Sequence, residues 1–250
     1  MPGVLERLRL LKRASRPVEP ALPEVARSIA IIMDGNARWA RSRGLPVLAG
    51  HSAGTRALRR TVEACLDLGV DSLAVFAFST ENWNRPDDEV RGLLDLLAET
   101  IRREFPDMGR MGVRVRFVGR RDRCSPSIRE LIEDTERDTA ANGALTLWIC
   151  FDYGGRFELV EAARRLIEDG VAAEDVDEDA LVARLSAPDM PEPDLVIRTS
   201  GEQRLSNFLL WQTAYSEYVF TPTLWPDFGE APLRAALSEY AGRRRRFGAR

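Results

Sequence analysis

The residues best suited to chemistry follow directly after an apolar run near the start of the chain. Residues 29–33 are all apolar, and Asp34, Gly35 and Asn36 come next, with Arg38 two positions further on. A carboxylate is a hard oxygen ligand that suits Mg2+. Backbone N–H groups beside a glycine and the fork of a guanidinium suit phosphate oxygens. On its own, this segment is equally compatible with a plain turn after a strand.

Two later segments repeat the arrangement of an apolar run followed by polar side chains. Residues 195–197 lead into four side chains that can bind anions, namely Arg198, Ser200, Arg204 and Ser206. Residues 76–78 lead into Ser79, Asn82, Trp83 and Arg85. Three such segments favour a binding site over three unrelated turns, and their chemistry suits two phosphate-bearing groups and one metal ion.

The elements that must position these residues are predicted from the pattern of apolar runs, which is typical of strands buried on both faces. Strands are predicted near residues 29–33, 73–78, 113–118, 145–151, 194–198 and 218–220. Helices are predicted near residues 51–68, 88–104, 126–140, 156–169, 178–185 and 231–242. This alternation predicts a single α/β domain with one mostly parallel central sheet of about six strands, flanked by helices. Because ligands bind beyond the carboxyl ends of parallel strands, the polar segments should meet at one edge of the sheet.

Composition argues against nucleic-acid binding and against a membrane-spanning protein. The chain has 250 residues, of which 44% are hydrophobic, and a net charge of −3, so it has no basic field that would attract nucleic acid. No apolar run approaches the length of a membrane span, and the first residues contain no signal-peptide core. The three cysteines, Cys65, Cys124 and Cys150, lack metal-ligand spacing. We expect a cytoplasmic protein with reduced thiols.

Signatures of nucleotide binding and of serine hydrolases are missing. The chain contains neither the Gly-x-Gly-x-x-Gly fingerprint after a strand nor the Gly-x-x-x-x-Gly-Lys-Ser/Thr phosphate loop. His51 is the single histidine, and no nucleophile-elbow pattern accompanies it. A lone histidine is more often structural than catalytic, so composition alone assigns His51 no role.

The chain resembles the cis-prenyltransferase family in an ordered series of blocks from about Ser28 to the C-terminus. The blocks are residues 31–36 with Arg38 and Trp39, Gly50 and His51 with Gly54, and residues 78–86, 152–156, 194–204, 206–212, Tyr215 with Glu217, 224–228 and 245–248. The resemblance implies that residues 28–250 form a catalytic domain with an apolar tunnel. Residues 1–27 are left as an N-terminal extension, either a frayed tail or a short amphipathic helix that touches lipid.

The reaction is also implied by the resemblance. Members of the family condense isopentenyl diphosphate with an allylic diphosphate, here expected to be farnesyl diphosphate. The resemblance is strongest to members that make undecaprenyl diphosphate, a carrier lipid for cell-wall synthesis, and other product lengths stay open. A homodimer and transient contact with the inner face of the membrane are expected. A non-catalytic partner subunit and a phosphate-ester hydrolase using Asp34 are the weaker alternatives.

Roles for the site residues follow from the matching blocks. By resemblance, the allylic diphosphate is held by Gly35, Asn36, Arg38 and His51, and isopentenyl diphosphate by Arg198, Arg204 and Ser206. Mg2+ is expected to bind Asp34 and Glu217. The substrates should also meet Trp39 and a mobile closing segment that carries Ser79, Asn82, Trp83 and Arg85. Asp34, Asn36 and Asn82 are the predicted catalytic residues, while the proton acceptor stays open between Asn36, a diphosphate oxygen and His51.

The sequence departs from the family pattern at four positions near these blocks. Ala37 stands where Gly is common, Val47 where Arg is common, and Gln203 where some members have His. Asp152 replaces the usual Asn and places a negative charge near a strand end, which Arg156 is expected to neutralise.

Two features bear on the predicted tunnel. The stripe formed by Val90, Leu93, Leu94, Leu97 and Ile101 is compatible with core packing, with a tunnel wall, or with both. Trp148 is weighed as the floor of the tunnel against a role as an ordinary core aromatic, and Ala77 and the helix of the stripe are the next candidates.

Overall fold

Six strands form one sheet in the computed structural model, which describes residues 26–243. The strands are β1 (Ser28–Ile32), β2 (Ser72–Ser79), β3 (Val113–Val118), β4 (Leu145–Tyr153), β5 (Leu195–Arg198) and β6 (Glu217–Phe220). Their order across the sheet is β3-β4-β2-β1-β5-β6, and every pairing is parallel. The prediction of one α/β domain with a parallel six-stranded sheet is confirmed.

Helices cover the sheet and connect its strands. They are α1 (Asn36–Arg41), α2 (Val47–Leu68), α3 (Asp87–Arg110), α4 (Pro126–Asp138), α5 (Gly155–Glu168), α6 (Glu178–Val182) and α7 (Glu230–Gly242), and a 3-10 turn (Thr80–Asn84) links β2 to α3. The prediction missed α1, because six residues are too few to display a helical period. This helix starts at once after Gly35, whose φ of 110° lies in the left-handed region that favours glycine.

Successive strand residues alternate between two apolar cores, one on each face of the sheet. In β1, which is buried throughout, Ile29 and Ile31 belong to the larger core, whereas Ala30 and Ile32 belong to the smaller one. Strands covered on both faces read as continuous apolar runs, which explains why their positions were predicted well.

Trp148 belongs to the smaller core, where its Nε1 donates to Ser72 Oγ at 3.0 Å. Its neighbours Ile149 and Phe151 point to the other face and line the apolar cavity described below. The hypothesis that Trp148 forms the tunnel floor is therefore wrong, because strand alternation sends its indole to the opposite side of the sheet.

The functional residues gather where the connections between strands change direction. β1 lies between β2 and β5, and the chain leaves β1 towards β2 but leaves β5 towards β6 on the opposite side. Such a reversal opens a crevice beyond the carboxyl ends of the two strands. Asp34 and Arg198 lie at this crevice, because they follow or end β1 and β5.

Within residues 26–243, no helix is long and apolar enough to cross a bilayer. The predictions for residues 1–25 and for the block at residues 245–248 fall outside the described part of the chain.

Candidate active site

An ion pair between Asp34 and Arg198 occupies the crevice between β1 and β5. Arg198 Nη2 donates to Asp34 Oδ2 at 2.9 Å. Thr199 holds the backbone of Asp34 from both sides: the Asp34 N–H donates to Thr199 Oγ1 at 2.8 Å, and the Thr199 hydroxyl donates to the Asp34 carbonyl at 2.6 Å. These contacts fix the carboxylate at the mouth of the crevice.

The Asp34 carboxyl is ionised at neutral pH. Burial raises its pKa, but the hydrogen bond and charge of Arg198, helped by Ser200 and Arg38, outweigh that effect and bring the pKa below its usual value. Its second oxygen, Oδ1, lies 3.7 Å from Arg38 Nη2, beyond hydrogen-bond distance. Among residues 26–243, no three His, Cys, Asp or Glu side chains are arranged to hold a metal by themselves. Asp34 fits Mg2+ in the way this ion is often held, by one or two carboxylates and substrate phosphates.

Arg198 is the buried centre of the second polar segment. Its side chain is only 4% exposed, and Nη1 donates to Ser206 Oγ at 2.9 Å and also to the carbonyl of Arg204. Its Nε is buried and has no hydrogen-bond partner. A buried donor without a partner is uncommon, so this atom is suited to an incoming anion.

Arg38 and Arg204 approach the crevice from its solvent side. Arg38 Nη1 donates to the Ser200 carbonyl at 3.0 Å, and its Nη2 contacts the Ser200 hydroxyl. The carboxylate of Glu202 lies within 3.5 Å of Arg38 and also pairs with Arg204. An anionic ligand that binds these arginines must compete with Glu202, a residue that sequence reasoning did not single out.

Asn36 and His51 are brought together by close packing of α1 against α2. A Cβ atom at Gly50 would lie 2.1 Å from the Asn36 carbonyl oxygen, and one at Gly54 would lie 2.5 Å from Asn36 Oδ1. Glycine is therefore required at both positions. Asn36 Oδ1 and His51 Nε2 are both buried without a hydrogen-bond partner, and both residues line the cavities described below. The structure thus places two buried, unpaired polar atoms in residues that line both cavities.

His51 is neutral at neutral pH. Burial, followed by the positive charge of Arg85, lowers its pKa to about 4, and Glu89 opposes this only in part. A neutral imidazole can accept a proton or donate one hydrogen bond, according to its tautomer.

Changing His51 to Gln should flatten the pH dependence of stability between about pH 6.5 and pH 4. The unfolded chain takes up this proton near its ordinary pKa, whereas the folded protein resists it down to about 4. The native state should therefore lose roughly 3 kcal/mol from this group as pH falls through that window, and nothing above it. Urea unfolding of parent and variant at several pH values checks this result. Equal losses in both proteins would contradict it.

The predicted closing segment is a 3-10 turn tied to the end of β2. The Ser79 N–H donates to Asn82 Oδ1 at 2.9 Å, and the Ser79 side chain accepts from the Asn82 backbone. Arg85 Nη1 donates to Glu89 Oε1 at 2.7 Å. Asn82 and Arg85 face the polar cavity, whereas Trp83 packs against the larger core.

Two adjoining cavities meet at these residues. The polar cavity, of about 560 Å³, includes Asp34, Arg198, Ser206 and the closing segment in its lining. The apolar cavity, of about 110 Å³, runs between α2, α3 and the sheet. Five residues line both cavities and are called the neck here: Met33, Asn36, His51, Ala77 and Leu93. An ionic head group and an apolar tail can thus be held on either side of the neck.

The stripe on α3 serves both purposes that were considered for it. Leu93 and Leu97 line the apolar cavity, whereas Val90 and Ile101 are buried in the larger core. The far wall of the cavity is formed in part by Phe105, which is 2% exposed.

Two predicted site residues lie away from this group. Trp39 donates from Nε1 to Asp227 Oδ1 at 2.7 Å and, like Gly35, Arg38, Trp83 and Arg204, it is not among the residues that line either cavity. Glu217 begins β6 beside Leu195, at the amino ends of the strands, whereas Asp34 lies beyond the carboxyl ends. Glu217 accepts from Arg243 Nη1 at 2.8 Å. Counted along the strands, the two carboxylates are separated by roughly 15 Å. Asp34 and Glu217 of the same chain are therefore too far apart to hold one Mg2+ ion together, and Glu217 as a metal ligand stays a prediction.

The charge of Asp152 is neutralised, but not by Arg156. Arg123 Nε donates to Asp152 Oδ2 at 2.8 Å, and Trp83 Nε1 donates to Oδ1 at 2.9 Å. Arg156 instead lies exposed in the first turn of α5, with its backbone N–H donating to Asn207 Oδ1. The expectation for Arg156 is wrong, because the Asp152 side chain pairs with Arg123 on the loop after β3.

Comparison with known proteins agrees with this geometry. A 50% identical protein of Xanthomonas oryzae pv. oryzae, a farnesyl-diphosphate-specific ditrans,polycis-undecaprenyl-diphosphate synthase, aligns over 94% of this chain and 92% of its own length. An isoprenyl transferase of Agrobacterium fabrum is 50% identical over 88% of this chain and 91% of its own.

Solved structures show the same fold. Lavandulyl diphosphate synthase from Lavandula x intermedia, in complex with dimethylallyl diphosphate, has a TM-score of 0.86 at 35% identity and covers 90% of this chain and 98% of its own. A probable undecaprenyl diphosphate synthase from Campylobacter jejuni has a TM-score of 0.76 at 32% identity, and the match covers 90% of this chain and 99% of its own. The family model described as putative undecaprenyl diphosphate synthase matches residues 32–248. This chain therefore belongs to that prenyltransferase family.

Proposed function

We propose that this protein condenses isopentenyl diphosphate with farnesyl diphosphate to make a long cis-polyprenyl diphosphate, namely undecaprenyl diphosphate. The observation that carries the proposal is the polar cavity, lined by Asp34 and Arg198, that opens through the neck into an apolar cavity. Relatives that are 50% identical over most of the chain and bear that name support the choice of product.

The reaction requires stabilisation of a departing diphosphate. The C1–O bond of the allylic substrate breaks with its electron pair going to the diphosphate, the double bond of isopentenyl diphosphate forms a new bond to C1, and a proton then leaves. Positive groups placed where negative charge develops typically contribute several kcal/mol. Mg2+ bound to Asp34 and to substrate phosphates would supply part of this charge.

The division of the polar cavity is proposed as follows. Arg198, Arg204 and Ser206 bind the diphosphate of isopentenyl diphosphate, because Arg198 holds Ser206 and has a free Nε donor. Gly35, Asn36, Arg38 and His51 bind the allylic diphosphate on the α1 side of the crevice. The neutral state of His51 supports it, alongside Asn36 or a diphosphate oxygen, as a candidate to receive the proton.

The closing segment is proposed to complete the site. Asn82 and Arg85 face the polar cavity from the turn after β2, so movement of this turn would open or close it. Closure excludes water from a reactive allylic cation and brings charged groups onto the substrates.

A second copy and a membrane surface are the proposed partners. Tyr215, two residues before β6, is 75% exposed, and Phe220, the last residue of β6, is 37% exposed; β6 is an edge strand of the described sheet, which supports a dimer through this side. Each isoprene unit adds five carbons, and at ~0.8 kcal/mol per buried CH2 it gains about 4 kcal/mol inside an apolar cavity. Slow product release, relieved by a membrane or detergent, is the expected consequence.

Incubation with farnesyl diphosphate, labelled isopentenyl diphosphate and Mg2+, followed by chain-length analysis, tests the reaction and the product together. A labelled product of eleven isoprene units, lost on chelation of the metal, is expected. A folded protein that forms no product would instead support the alternative of a non-catalytic subunit. Hydrolysis of the allylic substrate without chain growth would support a phosphate-ester hydrolase.

Changing Ala77 to Leu should shorten the product. Ala77 lies in the neck, so a larger side chain narrows the passage from the polar to the apolar cavity. Chromatography of labelled products measures the shift. Trp148→Phe is the control, because Trp148 lies on the opposite face of the sheet and should leave the length distribution unchanged. Unchanged products from Ala77→Leu would show that the tail does not pass this point.

A further inference from the structure

Asp152 is a fully buried carboxylate with partners from two other parts of the chain. Its side chain is 0% exposed, and it accepts from Arg123 Nε at 2.8 Å and from Trp83 Nε1 at 2.9 Å. A second contact joins Arg123 Nη2 to Asp152 Oδ1, the oxygen that also accepts from Trp83. The Arg123 guanidinium lies 4.9 Å from the centre of the Trp83 ring, so all three side chains touch one another. We call this group the Trp83 latch.

The energetics of the latch are those of a buried charge. A buried carboxylate destabilises a protein unless it is paired and hydrogen-bonded. The two-pronged contact with Arg123 supplies the pairing, and the guanidinium over the indole adds a cation–π attraction. Trp83 is therefore held by a hydrogen bond to the anion and by contact with the cation.

Each member of the latch comes from a different element. Asp152 belongs to β4, Arg123 to the loop after β3, and Trp83 to the 3-10 turn of the closing segment. The loop is anchored separately, since Arg121 Nη2 donates to Glu136 Oε1 at 2.8 Å. The latch thus connects a firmly held framework to the turn that borders the polar cavity.

Trp83 lies beside the residues proposed to act on substrates but does not itself line the polar cavity. Asn82 precedes it, Arg85 follows two positions later, and both line that cavity. The indole also packs edge-on against Phe78, with ring centres 5.4 Å apart. Fixing Trp83 therefore fixes the direction in which Asn82 and Arg85 point.

We propose that Asp152 and Arg123 are positioning residues, which act through Trp83 to hold Asn82 and Arg85 against the polar cavity. This inference rests on the proposed function for its kinetic consequence. Its structural part, the holding of the turn, can be measured without any activity. Small losses of alignment at reacting groups lower rates strongly, by as much as ~100-fold for displacements of about 1 Å.

The test combines local hydrogen exchange with kinetics in three variants of the full chain. Arg123→Met removes the cation, and Asp152→Asn keeps an acceptor for Trp83 but removes the charge. Trp83→Phe removes the N–H together with one ring of the indole, while leaving the Asp152–Arg123 ion pair in place. Arg121→Met is the matched control, since it removes an arginine ion pair from the same loop without touching Trp83.

In Arg123→Met and Trp83→Phe, the backbone amides of residues 80–85 should exchange at least tenfold faster than in the parent. In the same two variants kcat should fall about tenfold, while KM for isopentenyl diphosphate should change less than threefold. Asp152→Asn should be intermediate, because the retained acceptor rescues the bond to Trp83. Arg121→Met should lower the melting temperature but leave the exchange of residues 80–85 and kcat unchanged.

The proposal is overturned if exchange of residues 80–85 is the same in Trp83→Phe and Arg123→Met as in the parent. It is also overturned if Arg121→Met changes both readouts as strongly as Arg123→Met, because the effect would then be general destabilisation. A parent without prenyl transfer would defeat the proposed function alone, and the exchange measurement would still decide whether the latch holds the turn.

Discussion

Changing Asp34 to Asn should lower kcat by about 100-fold or more while the protein remains folded. The amide keeps the shape of the side chain and its contact with Arg198, but it removes the ionised oxygen that is proposed to bind Mg2+. Loss of a major electrostatic stabiliser of a departing group has this size. Steady-state kinetics across a range of Mg2+ concentrations, with circular dichroism as a check on folding, measures the effect.

Asp122→Asn is the matched control for this substitution. Asp122 pairs with Arg120 on the surface, so the control makes the same chemical change away from the two cavities. Its kcat should match the parent. Near-normal turnover of Asp34→Asn, still dependent on Mg2+, would remove Asp34 from the metal site.

Changing Arg198 to Ala should have a double effect, on substrate binding and on stability. The guanidinium is 4% exposed and pairs with Asp34, so its loss leaves a partly buried carboxylate without its main partner. Removal of one member of a buried pair typically destabilises by about 3–5 kcal/mol, and Asp34, which is less buried, places this case near the lower end. KM for isopentenyl diphosphate should also rise, because the proposed charge-assisted contact to its diphosphate is lost.

Arg204→Ala separates the two effects. Arg204 is 59% exposed and pairs with Glu202, so its removal should raise KM for isopentenyl diphosphate with little loss of stability. Arg38→Ala should instead raise KM for the allylic substrate. Urea unfolding and initial rates with each substrate varied in turn give the comparison. If all three variants weakened both substrates equally, the proposed division of the polar cavity would be wrong.

The sequence predicted the sheet well because its strands are buried on both faces and therefore stand out as apolar runs. The same property caused the error at Trp148. When both faces are apolar, alternation shows that Trp148 and Ile149 point in opposite directions, but not which direction leads to the cavity. Only the packing of α2 and α3 over one face decides that.

The separation of Glu217 from Asp34 within the chain had a signal in the sequence. Asp34 and Arg198 come at the carboxyl ends of their apolar runs, whereas Glu217 precedes the run at residues 218–220. In a parallel sheet, that difference places Glu217 at the amino ends of the strands, away from the crevice at their carboxyl ends. The partner of Asp152 had no comparable signal, because Arg123 is 29 residues away on a loop that only the neighbouring strand brings close.

The position of the neck decides how the effect of a substitution builds up over successive rounds of chain growth. On the proposed path, every isoprene unit that is added moves past the same five residues, so a delay there recurs at each round and compounds. A change near Phe105, at the far wall of the apolar cavity, acts only once the tail has grown long enough to reach it. Neck variants should therefore shift the whole distribution of product lengths towards shorter chains, whereas far-wall variants should displace only its upper end.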